Sequence, residues 1–303
     1  MSIPSFGTWP TPLEPARQLA AAVGLDELWV KRDDLTGLGG GGNKVRKLRH
    51  LCAQALAAGA THLVTTGAAQ SNHARLTAAA GARLGLAVTL VLRGDPPAQA
   101  RGNLVLDLLA GARIVWAGDR ATGEVAAEQE RRVRDDGDVP FLIPFGGSSR
   151  HSARGYLECA QELEAQLPGI DRVVVALGSG GTAAGLVAGL GAARVVGVDV
   201  GAVPDPVATL RALGVEGELP MIERGQVGAG YGTLGPGVAD ALRLAARTEG
   251  LFLDPTYTGR ALAGLRACVA DGRIARGERT VFVHTGGLPG LFAHPQIRPE
   301  LQP

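Results

Sequence analysis

The sequence predicts an α/β protein built on open parallel sheets with helices on both faces. Three observations lead there. The chain has 303 residues, 46% of them hydrophobic, enough for two domains or one large unit with a sizeable core. Short β-branched runs recur along it and are apolar throughout, as strands buried on both faces must be. Ala-rich amphipathic stretches separate them, the alternation that yields a parallel sheet.

In chain order, strands are expected at LWVKR near Leu28, THLVTT near Thr61, AVTLVL near Ala87 and RIVWA near Arg113. Four more follow: PFLIPF near Pro140, DRVVVAL near Asp171, ARVVGVDV near Ala193 and TVFVHT near Thr280. Each run is rich in Val, Ile, Thr or aromatic residues. Helices are expected at NKVRKLRHLCAQALAAG, SNHARLTAAAGARLG and PTYTGRALAGLRACVADG, and TGEVAAEQERRVRDDGD from Thr122 reads as a solvated helix and loop. No repeat or linker interrupts this order; the nearest approaches to a boundary are GLGGGG at 37–42 and FGGSSR at 145–150. In such sheets ligands bind beyond the carboxyl ends of the strands, so function is sought in the turns that follow them.

Composition removes several classes. Thirty basic residues face 29 acidic ones for a formal net charge of +1, which argues against a nucleic-acid footprint. The N-terminus lacks a basic start followed by an apolar stretch, and no run approaches the roughly 18 apolar residues of a membrane span, so a cytoplasmic protein without membrane contact is expected. Cys52, Cys159 and Cys268 are odd in number and far apart, which suits reduced thiols. There is no HExxH or CxxC, and no metal site is expected.

The Lys count is the most informative. Of the 30 basic residues only Lys31, Lys44 and Lys47 are Lys. Coding bias towards Arg accounts for the rest, so positions still written as Lys are candidates for chemistry that Arg cannot perform. A primary amine can lose its proton and form a Schiff base, whereas guanidinium stays charged. Asn is equally scarce, at Asn43, Asn72 and Asn103.

Four constellations stand at expected turns. Gly39-Gly40-Gly41-Gly42-Asn43-Lys44-Val45-Arg46-Lys47 puts a Gly turn before a helix, where backbone N–H groups can meet an anion; it is not a P-loop, because Lys44 follows Asn and precedes Val. Lys44 and Lys47 are three apart and share a helix face. Gln70-Ser71-Asn72-His73 follows a strand and opens a helix, with Ser71 suited to the N-cap. Gly178-Ser179-Gly180-Gly181-Thr182-Ala183 fits a phosphate nest and also the GxGxxA dinucleotide fingerprint, with Asp199 about twenty residues on. The last group comprises Gly230-Tyr231-Gly232, Asp254-Pro255-Thr256-Tyr257-Thr258-Gly259 and His284-Thr285-Gly286-Gly287, in which two of only three Tyr sit in turns. An NAD-dependent dehydrogenase would use the third constellation and leave the Lys pair and Tyr turns idle. Pyridoxal 5′-phosphate needs an aldimine-forming Lys, a phosphate cradle and partners for its phenolic oxygen and ring nitrogen, and the sequence offers a candidate for each.

KRDDLTGLGGGGNKVRKL, TTGAAQSNHARLTAAAGARLGL, RGNLVLDLLAGA, GSGGTAAGLVAGL, ARTEGLFLDPTYTGRALAGL and VFVHTGGLPGLFAH together resemble the 1-aminocyclopropane-1-carboxylate deaminase and D-cysteine desulfhydrase family, from about Thr11 to His294. The resemblance implies a fold-type II, tryptophan-synthase-β-like enzyme that uses pyridoxal 5′-phosphate on a small amino acid. It also implies a homodimer, with a large cofactor-binding domain at 1–36 plus 149–303 and a small domain at 37–148 inserted within it. It makes Lys44 the Schiff-base lysine, puts Asn72 on the phenolic oxygen and Thr285 at the ring nitrogen, and gives the phosphate to Lys47 with Gly178, Ser179, Gly180, Gly181 and Thr182. Gln70, Ser71, His73 and Tyr257 are then expected on the substrate, and Lys44, Ser71, Tyr231 and Tyr257 in catalysis.

Cyclopropane-opening members carry Glu after the second active-site Tyr and Leu near the ring nitrogen, where this chain has Thr258 and Thr285. D-cysteine desulfhydrase is therefore the expected activity, with the cyclopropane deaminase and an L-cysteate sulfo-lyase as alternatives within the family. The chain departs from the family pattern at SSRHSARGY after Gly147, at Ala183 and at YGTLGPG. These departures are expected to bear on the substrate and not on the cofactor residues.

Overall fold

The computed structural model describes residues 3–297. The chain runs through β1 (Leu13–Pro15), α1 (Arg17–Val23), β2 (Leu28–Lys31), α2 (Lys44–Ala57), β3 (His62–Gly67), α3 (Asn72–Leu84), β4 (Ala87–Leu92), α4 (Asn103–Leu109), β5 (Arg113–Trp116), α5 (Thr122–Asp135) and β6 (Pro140–Leu142). It continues with α6 (Arg154–Gln166), β7 (Arg172–Leu177), α7 (Gly181–Leu190), β8 (Val195–Asp199), α8 (Pro206–Ala212), β9 (Met221–Glu223), α9 (Pro236–Glu249), α10 (Thr258–Ala270), β10 (Thr280–Val283) and α11 (Leu288–Ala293). The eight expected strands and four expected helices all form. β1 and β9 were not expected, because three residues of LEP or MIE carry no periodicity of their own.

Two sheets result. One has the order β1-β2-β10-β7-β8-β9 and the other β5-β4-β3-β6. Every pairing is parallel except β1 with β2, which is antiparallel with Leu13 opposite Lys31, so the larger sheet is mixed at one edge. The chain leaves that sheet after β2, builds the four-stranded sheet and returns at β7. The interior strands read Val-Val-Val or Leu-Val-Leu because both faces are covered: Val173 and Val175 pack under α6 and α7, and Val174 packs with Val198, Leu262 and Phe282 on the other side. Helix α7 lies against α6 at contact distance because it has Gly at the crossing. A Cβ on Gly185 would stand 2.2 Å from the Ala153 carbonyl oxygen and 2.5 Å from the Tyr156 Cβ.

Helix α2 is bound to the larger sheet by a buried charge network. Arg46 donates to Asp33 through Nε at 2.8 Å and Nη2 at 2.9 Å, and to both Glu162 oxygens at 2.8 Å. Thr11 and Tyr156 hydroxyls also donate to Asp33, and Lys31 donates to Glu162 at 2.7 Å. The Trp9 ring lies 4.4 Å from the Arg46 guanidinium carbon. Burial opposes ionisation of Asp33, yet Arg46 and the two hydroxyls outweigh it and hold the carboxyl below its usual value.

Cys52, Cys159 and Cys268 are buried and free. Among the described residues no helix is long and apolar enough to cross a membrane, and no cluster of His, Cys, Asp and Glu could hold a metal ion.

Candidate functional site

A cavity of about 280 Å³ opens where the carboxyl ends of strands from both sheets converge. Asn43 and Lys44 come from the turn after β2, Ser71, Asn72 and His73 from the turn after β3, and Gly178, Ser179, Gly180 and Thr182 from the turn after β7. Tyr231, Tyr257 and Thr285 complete the expected set on its wall. Lys47, Gly181 and Gln70 are not on that wall.

The Gly run before Lys44 exists to let three turns touch. A Cβ on Gly41 would fall 1.9 Å from the Asp34 carbonyl oxygen, and one on Gly286 2.9 Å from the Gly42 Cα. Asn43 N–H donates to the Thr285 carbonyl at 3.1 Å, and Asn43 Nδ2 donates to the Thr182 hydroxyl at 3.0 Å. Lys44 therefore starts α2 beside both Thr285 and the start of α7. Burial lowers the Lys44 amine to about 8, with its contact to Lys47 acting the other way. The amine is thus substantially neutral near pH 8, which nucleophilic or basic work requires. Labelling of Lys44 by a small aldehyde, trapped by borohydride and read by peptide mass, should accordingly rise about tenfold per pH unit and level off above pH 8. A plateau reached only near pH 10.5 would contradict this environment.

Lys47 lies one layer behind. Its Nζ donates to the Gly146 carbonyl at 2.5 Å and to Ser148 Oγ at 2.8 Å, and burial followed by the Lys44 charge pushes its pKa well down. Among the described residues no carboxylate pairs with either amine. Ser148 Oγ also meets Ser179 Oγ at 2.8 Å and accepts from Gly181 N–H at 3.3 Å, and Gly180, at φ +81°, turns the chain into α7. A cation short of an anion, a run of hydroxyls and a helix N-terminus make a phosphate-shaped demand. The SSRHSARGY departure thus does touch expected cofactor residues, since Ser148 bonds Lys47 and Gly181. FGGSSR at 145–150 reads from its residues as an approach to a boundary, with nothing in its composition to pair Ser148 with Lys47.

The turn after β3 behaves differently from expectation at two positions. Ser71 caps α3, accepting from Ala74 N–H at 3.1 Å. His73 faces the cavity, but the Thr65 hydroxyl donates to the Ile143 carbonyl at 2.9 Å and so must accept from His73 Nε2, 2.9 Å away. That leaves Nδ1 as a buried lone pair without a partner. Burial, then Lys44 and Lys47, pushes the imidazole well below 6.5, and a ring nitrogen left as a bare lone pair has no proton to offer a substrate carboxylate. Gln70, expected on the substrate, stands off the cavity wall. Its amide donates to the Arg101 carbonyl at 2.9 Å and accepts from Asn103 N–H at 3.0 Å, so it ties down α4.

The two tyrosines meet, with Tyr231 Oη 2.6 Å from Tyr257 Oη and the rings edge-on at 6.0 Å. Asp254 accepts from the N–H groups of Thr256, Tyr257 and Thr258 and from the Thr258 hydroxyl, which fixes Tyr257 at the head of α10. Thr258 is fully buried in this turn and contributes nothing to the cavity wall. Arg260 donates to the carbonyls of Val200, Gly230 and Thr233 at 2.7 to 2.8 Å and thereby carries the Tyr231 loop. Burial raises both phenols above 10, Tyr257 well above, so both stay protonated donors. Arg93, Thr122 and Phe145 also line the cavity and were not expected. Asp199 spends its carboxylate on Gly201 N–H at 2.8 Å and is off the cavity wall, leaving the dinucleotide alternative without its ribose ligand.

Comparison with known proteins agrees with this chemistry. The sequence pattern described as pyridoxal-phosphate dependent enzyme matches residues 4–286. A Pyrococcus abyssi protein provisionally named 1-aminocyclopropane-1-carboxylate deaminase is 38% identical over 97% of this chain and 94% of its own. A Yersinia pestis D-cysteine desulfhydrase is 39% identical over 95% of this chain and 94% of its own. The crystal structure of an ACC deaminase homologue superposes with a TM-score of 0.87 at 34% identity, covering 98% of this chain and 95% of that one.

Proposed function

Because the chain belongs to the pyridoxal-phosphate-dependent enzymes, in the family of 1-aminocyclopropane-1-carboxylate deaminases and D-cysteine desulfhydrases, we propose that it is a D-cysteine desulfhydrase. The reaction is a β-elimination in which D-cysteine and water give pyruvate, sulfide and ammonia. The observation that carries this reading is the Tyr231–Tyr257 phenol pair on the same cavity wall as Lys44 and Thr285.

The residues present fit the cofactor. Lys44 would tether it, Lys47 with Ser148, Ser179 and the start of α7 would hold its phosphate, Asn72 would donate to its phenolic oxygen, and Thr285 would face its ring nitrogen. When bound, pyridoxal phosphate supplies the electron sink that makes the substrate Cα–H acidic. Lys44, once its amine is free, is the group that removes that proton, which its lowered basicity allows at neutral pH. Ser71 at the helix N-cap offers a hydroxyl to the substrate, and the first turn of α3 suits a carboxylate. Tyr257, backed by Tyr231, donates to the departing sulfur; the pair gives the leaving group a protonated partner that water need not supply. Thr258 and Thr285, in place of the Glu and Leu of cyclopropane-opening members, support the desulfhydrase reading over cyclopropane opening.

The deciding experiment offers the purified protein D-cysteine, L-cysteine, L-cysteate and 1-aminocyclopropane-1-carboxylate in turn and measures sulfide, sulfite and the keto acid formed. Sulfide and pyruvate from D-cysteine alone is the expected result. A four-carbon keto acid from the cyclopropane substrate without sulfide from D-cysteine would overturn it. Tyr257→Phe should lower kcat about 10²-fold or more while cofactor absorbance is retained; an unchanged kcat would remove the phenol from the mechanism.

A further inference from the structure

Asn72 must choose which end of its carboxamide faces the cavity, and the choice is made two elements further along the chain. Asn103, fully buried at the start of α4, donates from a single Nδ2 to the Gln70 carbonyl at 2.9 Å and to Asn72 Oδ1 at 2.9 Å. A backbone carbonyl can only accept, so Gln70 fixes Asn103 with its NH2 group towards that turn. The same NH2 group then obliges Asn72 to present its oxygen to Asn103. The remaining NH2 of Asn72 is left pointing away, and Asn72 lines the cavity.

We propose that Asn103 is a positioning residue that sets the carboxamide orientation of Asn72, so that the cavity receives a donor and not an acceptor. The inference rests on the reading above that Asn72 serves the phenolic oxygen of the cofactor, which accepts and does not donate when ionised. Gly102 belongs to the device. Its φ is +54°, and a Cβ there would stand 2.5 Å from Gln70 Oε1 and 2.6 Å from both the Pro289 carbonyl oxygen and the Ala293 Cβ, so the chain delivers Asn103 to this point only through glycine. Gln70 closes the loop through its side-chain bonds to Arg101 and Asn103.

The test compares Asn103→Asp with Asn103→Ala in the holoenzyme. The Asp side chain keeps the shape but offers only acceptors, which drives Asn72 to turn its NH2 inward and its oxygen to the cavity. The Ala side chain leaves Asn72 free to choose. We expect the pH midpoint of the bound cofactor's visible band to move by about one unit or more in Asn103→Asp and by less in Asn103→Ala. Cofactor loss on dialysis should quicken in the same order. Asn72→Ala should shift the midpoint by itself, and adding Asn103→Asp to it should shift it no further, the non-additivity expected of coupled groups. Lowered melting temperatures with an unmoved midpoint in both Asn103 variants would reduce Asn103 to a structural residue and overturn the proposal. An unmoved midpoint in Asn72→Ala would instead fault the placement of the cofactor itself. Should Asn103→Asp fail to fold, Asn103→Ser replaces it: its single O–H can serve only one of the two acceptors, and an unmoved midpoint there also counts against the proposal.

Discussion

Replacing Lys44 with Ala lowers turnover by at least about 10³-fold, because one residue is asked both to tether the cofactor and to move the Cα proton, and a positioned base alone is worth about 10² to 10⁴. The visible band of the tethered cofactor disappears with it, while circular dichroism and the urea midpoint stay near those of the parent protein. Among the described residues no carboxylate pairs with Lys44; its environment opposes its charge and brings the amine to about 8. Lys44→Arg fails equally, since a guanidinium retains its proton and forms no covalent link. A Lys44→Ala protein that keeps a tenth of the parent rate would end the assignment of the base.

The second large effect concerns stability. Asp33→Ala leaves Arg46 buried with half of its counter-charge, and removing one partner of a buried pair typically costs about 3–5 kcal/mol. We expect about 3 kcal/mol, the lower end, because Glu162 still engages both terminal nitrogens of Arg46. The loss is read from the urea midpoint at pH 7, with the slope unchanged. The sign with pH follows from the depressed Asp33 value. The folded carboxyl ionises below its usual 3.8, so its contribution is fully present above that pH and disappears as acid protonates it at still lower pH. Asp33→Asn should therefore flatten the acid limb of the stability curve below pH 4, and an acid limb identical to that of the parent would refute the role given to this pair.

Much of this was legible in the residues. Runs such as DRVVVAL and THLVTT could be nothing but covered strands, and the Gly turns after them pointed to the site before any geometry was known. The scarcity of Lys pointed to Lys44 and Lys47, which the fold sets at and just behind the cavity wall, yet it pointed to Lys31 as well, which is committed to Glu162 and the Thr11 carbonyl. What could not be read was partnership across the chain. Gln70 and His73 belong to the right turn, but their hydrogen bonds run to Asn103 and Thr65 and decide which atoms are left for a ligand. Ser148 and Arg260 act through contacts with residues 27 to 101 positions distant, and no spacing rule marks them. Asn103 could have been noticed as one of three Asn, although rarity alone does not say what a residue touches.

The wall of the cavity carries Lys44 and Arg93, with Lys47 behind, and among the described residues that line it there is no Asp or Glu. Such a basin behaves as a small anion exchanger. Inorganic phosphate and sulfate should be drawn to the seat proposed for the cofactor's phosphate, and low-dielectric walls keep salt from screening that attraction as it would on an open surface. Reconstitution in phosphate buffer should then become a competition, slower and shallower than the same titration in triethanolamine chloride, whose tertiary amine does not condense with the cofactor's aldehyde.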